Sequence, residues 1–430
     1  MSLFLARTLG LIRREEGLGH FARCRCLLAC VLACAVPTAC TSTAAHTKFA
    51  PRLEGIDTEL LLHCEAILAL IDGPSVGSEP RLLIVCGQAG RWKLALASAD
   101  GRIQFEQPLQ PEWGRPQVAA QVASGSEAEF LIGFPEGASH GKCTGLVASF
   151  MPSSGTIELL RHGTGLGDRY GIQLALAGDI DGDGVQEVLV GADQGGTIGV
   201  ARSGYAELLD GELREPIRRY NILESAGFGS CLAALGDFDS DGIPEHLVGG
   251  RRQAFRLYSG VSGEPVEATL RFDASVTGLH VLRDMNNDGV VDLILERLDG
   301  VQLVSGATGK QIQVFHPPAE VLNRSSRFPG SVARNAGDFD GDGTDDWVTG
   351  DFCHARLLPL GSDHSWNELA GRVTVYSGKT GKAILIIEGV ERNEQLGRIL
   401  QAAGDVDGDG LDDVYVGSGR DLFLLRGRTR

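Results

Sequence analysis

The stretch from Asp179 to Glu187 reads DIDGDGVQE, and its pattern returns as DFDSDGIPE from Asp237, DMNNDGVVD from Asp284, DFDGDGTDD from Asp338 and DVDGDGLDD from Asp405. Positions 1, 3 and 5 carry acids or, once, an amide. Position 6 is always glycine and position 9 always acidic. The starts at 179, 237, 284, 338 and 405 lie 58, 47, 54 and 67 residues apart. A recurrence on that scale implies one supersecondary unit repeated along the chain.

Each copy runs directly into a short apolar stretch: Val188 to Val190, His246 to Val248, Leu293 to Leu295, Trp347 to Thr349 and Val414 to Val416. Small and apolar residues precede it, as in LALAG before Asp179 and CLAALG before Asp237. The loop therefore joins two strands. A second turn recurs further on, as YSGVSG at Tyr258, VSGATG at Val304 and YSGKTG at Tyr376. Its glycines and Ser/Thr residues suit the positive-φ positions and side-chain bonds of a hairpin. One period reads strand, acidic loop, strand, connection, strand, hairpin, strand, which is a four-stranded antiparallel blade.

Upstream, Val118 to Gly133 and Ala66 to Gly87 keep the order of strand, turn, strand and glycine without the acids. Their turns, near Ser124 and Asp72, stay in phase, so the count is seven. The expected fold is all-β: a seven-bladed β-propeller over residues 46–430, in which radial repetition protects the sheet edges. After Asp405 only two more strands fit, at Val414 to Val416 and Leu422 to Leu425. The last blade then lacks its outer strand, and an N-terminal strand, expected at Thr47 to Gly55, closes the ring.

The loops carry a ligand inventory. Calcium takes six to eight oxygens at about 2.3 to 2.6 Å from carboxylates and backbone carbonyls. The candidate ligands of the first loop are Asp179, Asp181, Asp183, the Val185 carbonyl and Glu187. The second offers Asp237, Asp239, Asp241, the Ile243 carbonyl and Glu245, and the third Asp284, Asn286, Asp288, the Val290 carbonyl and Asp292. The fourth offers Asp338, Asp340, Asp342, the Thr344 carbonyl and Asp346, and the fifth Asp405, Asp407, Asp409, the Leu411 carbonyl and Asp413. About five Ca2+ ions are expected. An EF-hand needs a bidentate Glu at position 12 and flanking helices. Position 12 here is Val190, Val248, Leu295, Thr349 or Val416, which excludes it. Solvated Asp-Gly turns would account for one such loop, but five in phase would leave clustered carboxylates repelling each other.

These loops, with Tyr170-Gly171, Phe228-Gly229 and Leu396-Gly397 ahead of them and VLVGA from Val188 behind, resemble the FG-GAP repeats of integrin α-subunit propellers. The resemblance is strongest over residues 165–430. It weakens at Thr277-Gly278 and at Phe328-Pro329-Gly330, and the first two blades lack metal ligands. It implies a calcium-binding propeller of the adhesion type.

Composition agrees. The chain has 430 residues, of which 43% are hydrophobic and 59 are glycine, enough for a sizeable core with many tight turns. Its net charge is -17, which argues against nucleic acid and an anionic membrane surface as partners. Removing the 19 loop carboxylates from 56 acids leaves 37 against 39 Lys+Arg, so the acidity is mostly ligand. Residues 1–45 read as an export leader: Arg13, Arg14, Arg23 and Arg25 precede an apolar run from Leu27 to Val36 that is shorter than the ~20 residues a spanning helix needs. VLAC ending at Cys34 and PTAC ending at Cys40 loosely resemble lipoprotein cleavage sites, so any membrane contact is expected through a lipid anchor only. Cys64, Cys86, Cys143, Cys231 and Cys353 remain beyond the leader, an odd set without C-x-x-C spacing. They read as small buried residues.

No H-E-x-x-H or phosphate-loop motif occurs. The expected function is an extracytoplasmic, monomeric module that binds a protein or glycan on the face opposite the metal loops. The longest connection, from Asp351 to Gly371, offers His354, Asp363, His364 and Trp366 as partner-binding candidates. Two alternatives stand beside it: a calcium-dependent propeller enzyme such as a polysaccharide lyase, and a purely structural surface protein.

Overall fold

A computed structural model of the chain describes residues 58–429, apart from 64–66, 73–80, 89–90, 99–101, 125–126, 140–141, 196–202, 212–214, 240, 251–254, 267–275, 298–299, 316–330, 355, 358–365, 368 and 419. All of these lie in one compact unit, Cys40–Arg430. The expected leader lies outside the described residues. Among the described residues the architecture is all-β, with antiparallel sheets and a 3-10 turn at Pro111–Trp113. Among the described residues no helix is long and apolar enough to cross a membrane.

The sheets follow one another along the chain. The first comprises Ile67–Asp72, Arg81–Gln88, Arg91–Ser98 and Ile103–Pro108, and the second Val118–Ser124, Glu127–Phe134, Leu146–Met151 and Thr156–His162. The third holds Tyr170–Gly178, Glu187–Ala192, Ser203–Leu209 and Pro216–Ala226. The fourth shows three strands, Phe228–Ala234, His246–Gly250 and Phe255–Tyr258; the residues after them, 267–275, lie outside the described set. The fifth holds Val276–Val281, Leu293–Arg297, Gly300–Val304 and Gln311–Phe315, and the sixth Ser331–Gly337, Asp346–Asp351, Arg372–Tyr376 and Ala383–Glu388. The seventh combines Ile399–Gly404, Asp413–Gly417 and Asp421–Leu425 with the N-terminal strand Thr58–His63.

Side-chain pattern follows from position within a sheet. Second strands such as Glu187–Ala192 (EVLVGA) and Asp413–Gly417 (DVYVG) are buried along their whole length, because neighbouring sheets cover both faces and a polar residue on either would be desolvated. Outer strands alternate. Ala383–Glu388 (AILIIE) buries Leu385 and Ile387 and leaves Ile386 exposed, as the period of two requires.

The core is divided among the seams between successive sheets. Leu83, Leu94 and Leu96 of the first sheet pack with Phe130, Ile132 and Phe150 of the second. Val373, Val375 and Leu385 of the sixth pack with Val414, Val416 and Phe423 of the seventh. Ile84, Ala95 and Ala97 of the first sheet also join Tyr415, Leu422 and Leu424 of the seventh, so the last sheet packs on the first. Full burial of each large apolar side chain stabilises by roughly 1.5–3 kcal/mol.

The seams are also where the Phe-Gly and VLVGA motifs meet. A Cβ on Gly191 would lie 1.9 Å from the Gly229 carbonyl oxygen of the next sheet, and one on Gly350 would lie 1.9 Å from that of Gly397. Gly229 and Gly397 adopt φ of +87° and +84°, a conformation that disfavours any residue with a Cβ. The motif glycines therefore let two backbones touch across a seam.

The N-terminal strand pairs antiparallel with the C-terminal one, from Thr58 opposite Leu425 to His63 opposite Asp421. It begins three residues beyond the expected stretch, Thr47 to Gly55, which lies outside the described residues. TELLLH is free of proline, whereas Pro51 in the earlier stretch removes a ladder donor. Deleting residues 58–63 strips the partner strand from the buried run Leu422 to Leu425, and thermal melts should show the chain destabilised by about 3 kcal/mol or more.

Candidate metal centre

All five acidic loops join the first and second strands of their sheets, at sheets three to seven. Their backbones are held by their own acids. The position 1 carboxylate accepts the position 6 N–H in each loop: Gly184 to Asp179, Gly242 to Asp237, Gly289 to Asp284, Gly343 to Asp338 and Gly410 to Asp405, at 2.7–3.0 Å. The position 7 N–H groups of Val185, Ile243, Val290, Thr344 and Leu411 donate to the position 5 carboxylates at 2.7–3.1 Å. The position 6 glycines adopt φ between +84° and +91°. An added Cβ there meets nothing within 4 Å, so glycine is needed for backbone conformation alone.

The position 9 acid lies deeper. Glu187, Glu245, Asp292, Asp346 and Asp413 are each no more than 1% exposed. One carboxylate oxygen accepts an N–H from within its own loop, as from Met285 to Asp292 at 2.7 Å and from Val406 to Asp413 at 3.1 Å. The other faces a glycine N–H just past the third strand: Gly306 to Asp292 at 3.2 Å, Gly378 to Asp346 at 2.8 Å and Gly427 to Asp413 at 2.8 Å. Gly260 and Gly306 and Gly378 are the first glycines of the three recurrent hairpins. Their place admits no side chain, since a Cβ on Gly306 would lie 1.8 Å from the Val291 oxygen and one on Gly378 1.9 Å from the Asp345 oxygen. The two motifs that recur in the sequence thus form one site. The hairpin orients the acid that closes the loop.

Carboxylate oxygens converge within 4.8 Å of one another in every loop: Asp179, Asp181 and Glu187; Asp237, Asp239 and Glu245; Asp284, Asp288 and Asp292; Asp338, Asp340 and Asp346; Asp405, Asp407 and Asp409. Of the expected acids, Asp183, Asp241, Asp342 and Asp413 stand outside these closest groups. Asn286 turns its amide nitrogen toward Asp292 at 3.2 Å, and a cation there would need the amide oxygen instead. In the seventh sheet Arg426 pairs with Asp407 at 3.3 Å.

The donor set is all oxygen and suits a hard cation such as calcium. Asp338 Oδ1 is buried without a hydrogen-bond partner. Burial, with repulsion from neighbouring loop acids, pushes Asp346 and Asp413 up to about 6 and raises Glu187, Glu245 and Asp292. A bound cation would relieve both effects, because it supplies the charge these carboxylates face.

Two acids at position 8 carry a role that the repeat pattern hides. Asp345 accepts from Arg283 at 3.1 Å and from Asn335 at 3.0 Å, and Asp412 accepts the backbone N–H of Asp338 at 2.7 Å. Each ties its loop to the preceding sheet. Position 8 is Gln186, Pro244 or Val291 elsewhere, and only that contrast could have marked the two. Beside them a polar cleft of about 510 Å³ opens between the first strands of the fifth, sixth and seventh sheets, lined by His280, Arg334, Gln401 and others. His280 and Arg334 both contact Glu296 there, at 3.1 and 3.3 Å.

In the long connection of the sixth sheet, one of the four candidates, His354, is buried. His354 is 7% exposed; it sits between Asp351 and Glu388, with Nε2 3.3 Å from the latter. Burial and the nearby Arg372 guanidinium hold its pKa below the usual imidazole value. It is buried at the base of the connection rather than presented as a surface residue. Asp363 and His364 lie outside the described residues, and Trp366 falls in a two-residue strand, Trp366–Asn367, paired with Arg356–Leu357. Among the cysteines, Cys231 and Cys353 are buried as expected, whereas Cys143 is exposed.

The family model for the FG-GAP repeat matches residues 170–206. That stretch spans the first strand, acidic loop and second strand of the third sheet and reaches the start of its third strand, so the chain carries an FG-GAP repeat there. No curated protein matches the chain.

Proposed function

We propose that the chain is a closed seven-bladed β-propeller, loaded with about five calcium ions, that works outside the cytoplasm as a binding or adhesion module for a protein or glycan. One observation carries the reading: the same all-oxygen loop, backed by a tightly packed glycine, stands between the first two strands of five consecutive sheets. The match to the FG-GAP repeat supports it. Ring closure is supported by the packing of the seventh sheet on the first and by the pairing of Thr58–His63 with Asp421–Leu425.

In this reading calcium is structural, and the second-to-third-strand connections at the other end of the sheets are left for recognition. Surface loops on a rigid scaffold are where binding concentrates. An array of glycans and extracellular proteins, probed with and without a calcium chelator, tests it. Retention of a partner only in calcium supports the module. Turnover of a polysaccharide with no retained partner would replace it with a calcium-dependent enzyme.

Calcium binding should weaken in acid. In the metal-free chain Asp346 and Asp413 titrate near 6, against an ordinary value near 3.9. The metal-free fold therefore holds extra protons between about pH 4 and 6; its destabilisation by these two acids is full above 6 and gone below about 4. Calcium must displace those protons. The rise in melting temperature on adding calcium should thus shrink as pH falls from 7 to 5, as scanning calorimetry at matched free calcium would show.

A further inference from the structure

The loops of the sixth and seventh sheets are not independent. Asp412, immediately before the buried Asp413, donates its N–H to the Asp338 carbonyl at 3.2 Å and accepts the Asp338 N–H on Oδ2 at 2.7 Å. Asp338 opens the sixth-sheet loop and contributes to its converging oxygens. A two-way hydrogen-bonded link thus runs from a residue adjoining one metal loop to the first acid of the other.

The surrounding packing leaves this link little slack. A Cβ on Gly337 would lie 2.1 Å from Asp412 Oδ2, and one on Gly341 2.8 Å from the Leu411 side chain. Gly427, whose N–H orients Asp413, sits so that a Cβ would lie 3.2 Å from the Phe339 oxygen. Arg428 donates its N–H to that same oxygen at 2.9 Å. Neighbouring loops elsewhere are joined differently: the fifth and sixth sheets by the Arg283–Asp345 ion pair, and the third and fourth by contact of Gly178 with the Pro244 ring.

We infer that the sixth- and seventh-sheet loops take up calcium as a coupled pair, with Asp412 as the positioning residue that transmits occupancy between them. The inference rests on the calcium reading above. An ion in the seventh loop fixes Asp413 and with it the Asp412 backbone and carboxylate. These hold Asp338, so its carboxylate is already oriented when the second ion arrives. Linkage makes the effect mutual. The coupling should be about tenfold in affinity, within the span usual for linked sites.

Equilibrium dialysis of calcium against the full chain tests this. Asp179→Ala, in the third sheet, whose loop meets the next through Gly178 and Pro244 rather than through a hydrogen bond to a loop acid, should remove one ion and leave the rest of the isotherm unchanged. Asp405→Ala should remove one ion and weaken a second about tenfold. Asp412→Ala should keep five ions but weaken two, and Asp412→Asn, which retains an acceptor oxygen, should restore most of the loss. If Asp405→Ala does not fold, the Asp412 pair decides alone. An Asp412→Ala isotherm equal to the wild type, or an Asp405→Ala isotherm that differs from that of Asp179→Ala in nothing, overturns the coupling. A wild-type chain that takes up no calcium overturns the calcium reading itself.

Discussion

Chelating calcium from the folded chain is expected to lower its melting temperature by more than about 10 °C. Each site that binds only the folded form adds about 2.7 kcal/mol when free calcium is 100 times the dissociation constant. Two such sites already contribute about 5 kcal/mol, comparable with the lower end of ordinary folding stability. A change of 1 kcal/mol shifts the midpoint of a 150–250-residue domain by about 2–4 °C, and five sites far outweigh the smaller response of a longer chain. The effect has a second source, because without a cation burial and the acids of their own loops raise the pKa values of Glu187, Glu245, Asp292, Asp346 and Asp413. Differential scanning calorimetry in calcium and in chelator gives the answer. Superimposable melts would remove metal from the loops.

Replacing Gly350 by alanine is expected to cost more than about 3 kcal/mol, while the same change at Gly343 costs only about 1–2 kcal/mol. The added Cβ at Gly350 would lie 1.9 Å from the Gly397 oxygen and 2.7 Å from its carbonyl carbon. Both obstacles are backbone, so relief requires two sheets to part, and the overpacking penalty stands at or above its usual 1–3 kcal/mol. Gly343 has φ +84° with nothing within 4 Å of its would-be Cβ, which leaves the left-handed backbone penalty alone. Urea midpoints in saturating calcium measure both. Equal losses would mean that the seam relaxes more easily than its close approach suggests.

The fold was legible because the acidic loop punctuates the chain at fixed points within a sheet. Position 6 glycine, position 9 acid and the apolar run after it placed the first and second strands of five sheets, and all five are found there. The division of labour inside the site was less legible. No spacing rule shows that Gly378 backs Asp346 across 32 residues, since the contact depends on how the third strand returns beside the second. Nor could the sequence separate Asp412 from Asp413. The two are chemically alike, and only strand register sends one carboxylate inward to Gly427 and the other sideways to Asp338. His354 misled for a related reason: a long connection reads as exposed, but its first turn folds back against Arg372 and Glu388.

The pairing of Thr58–His63 with Asp421–Leu425 also sets a timetable. Position 58 is made 363 residues before position 421, and at roughly 5–20 residues per second that gap lasts about 20–70 s. Through that interval the earliest strand has no native edge to join. Its apolar TELLLH sequence is meanwhile available to any unpaired strand nearby. Until the last sheet is made, the N-terminal strand is thus the one element of that sheet that a second nascent chain with a free edge could capture.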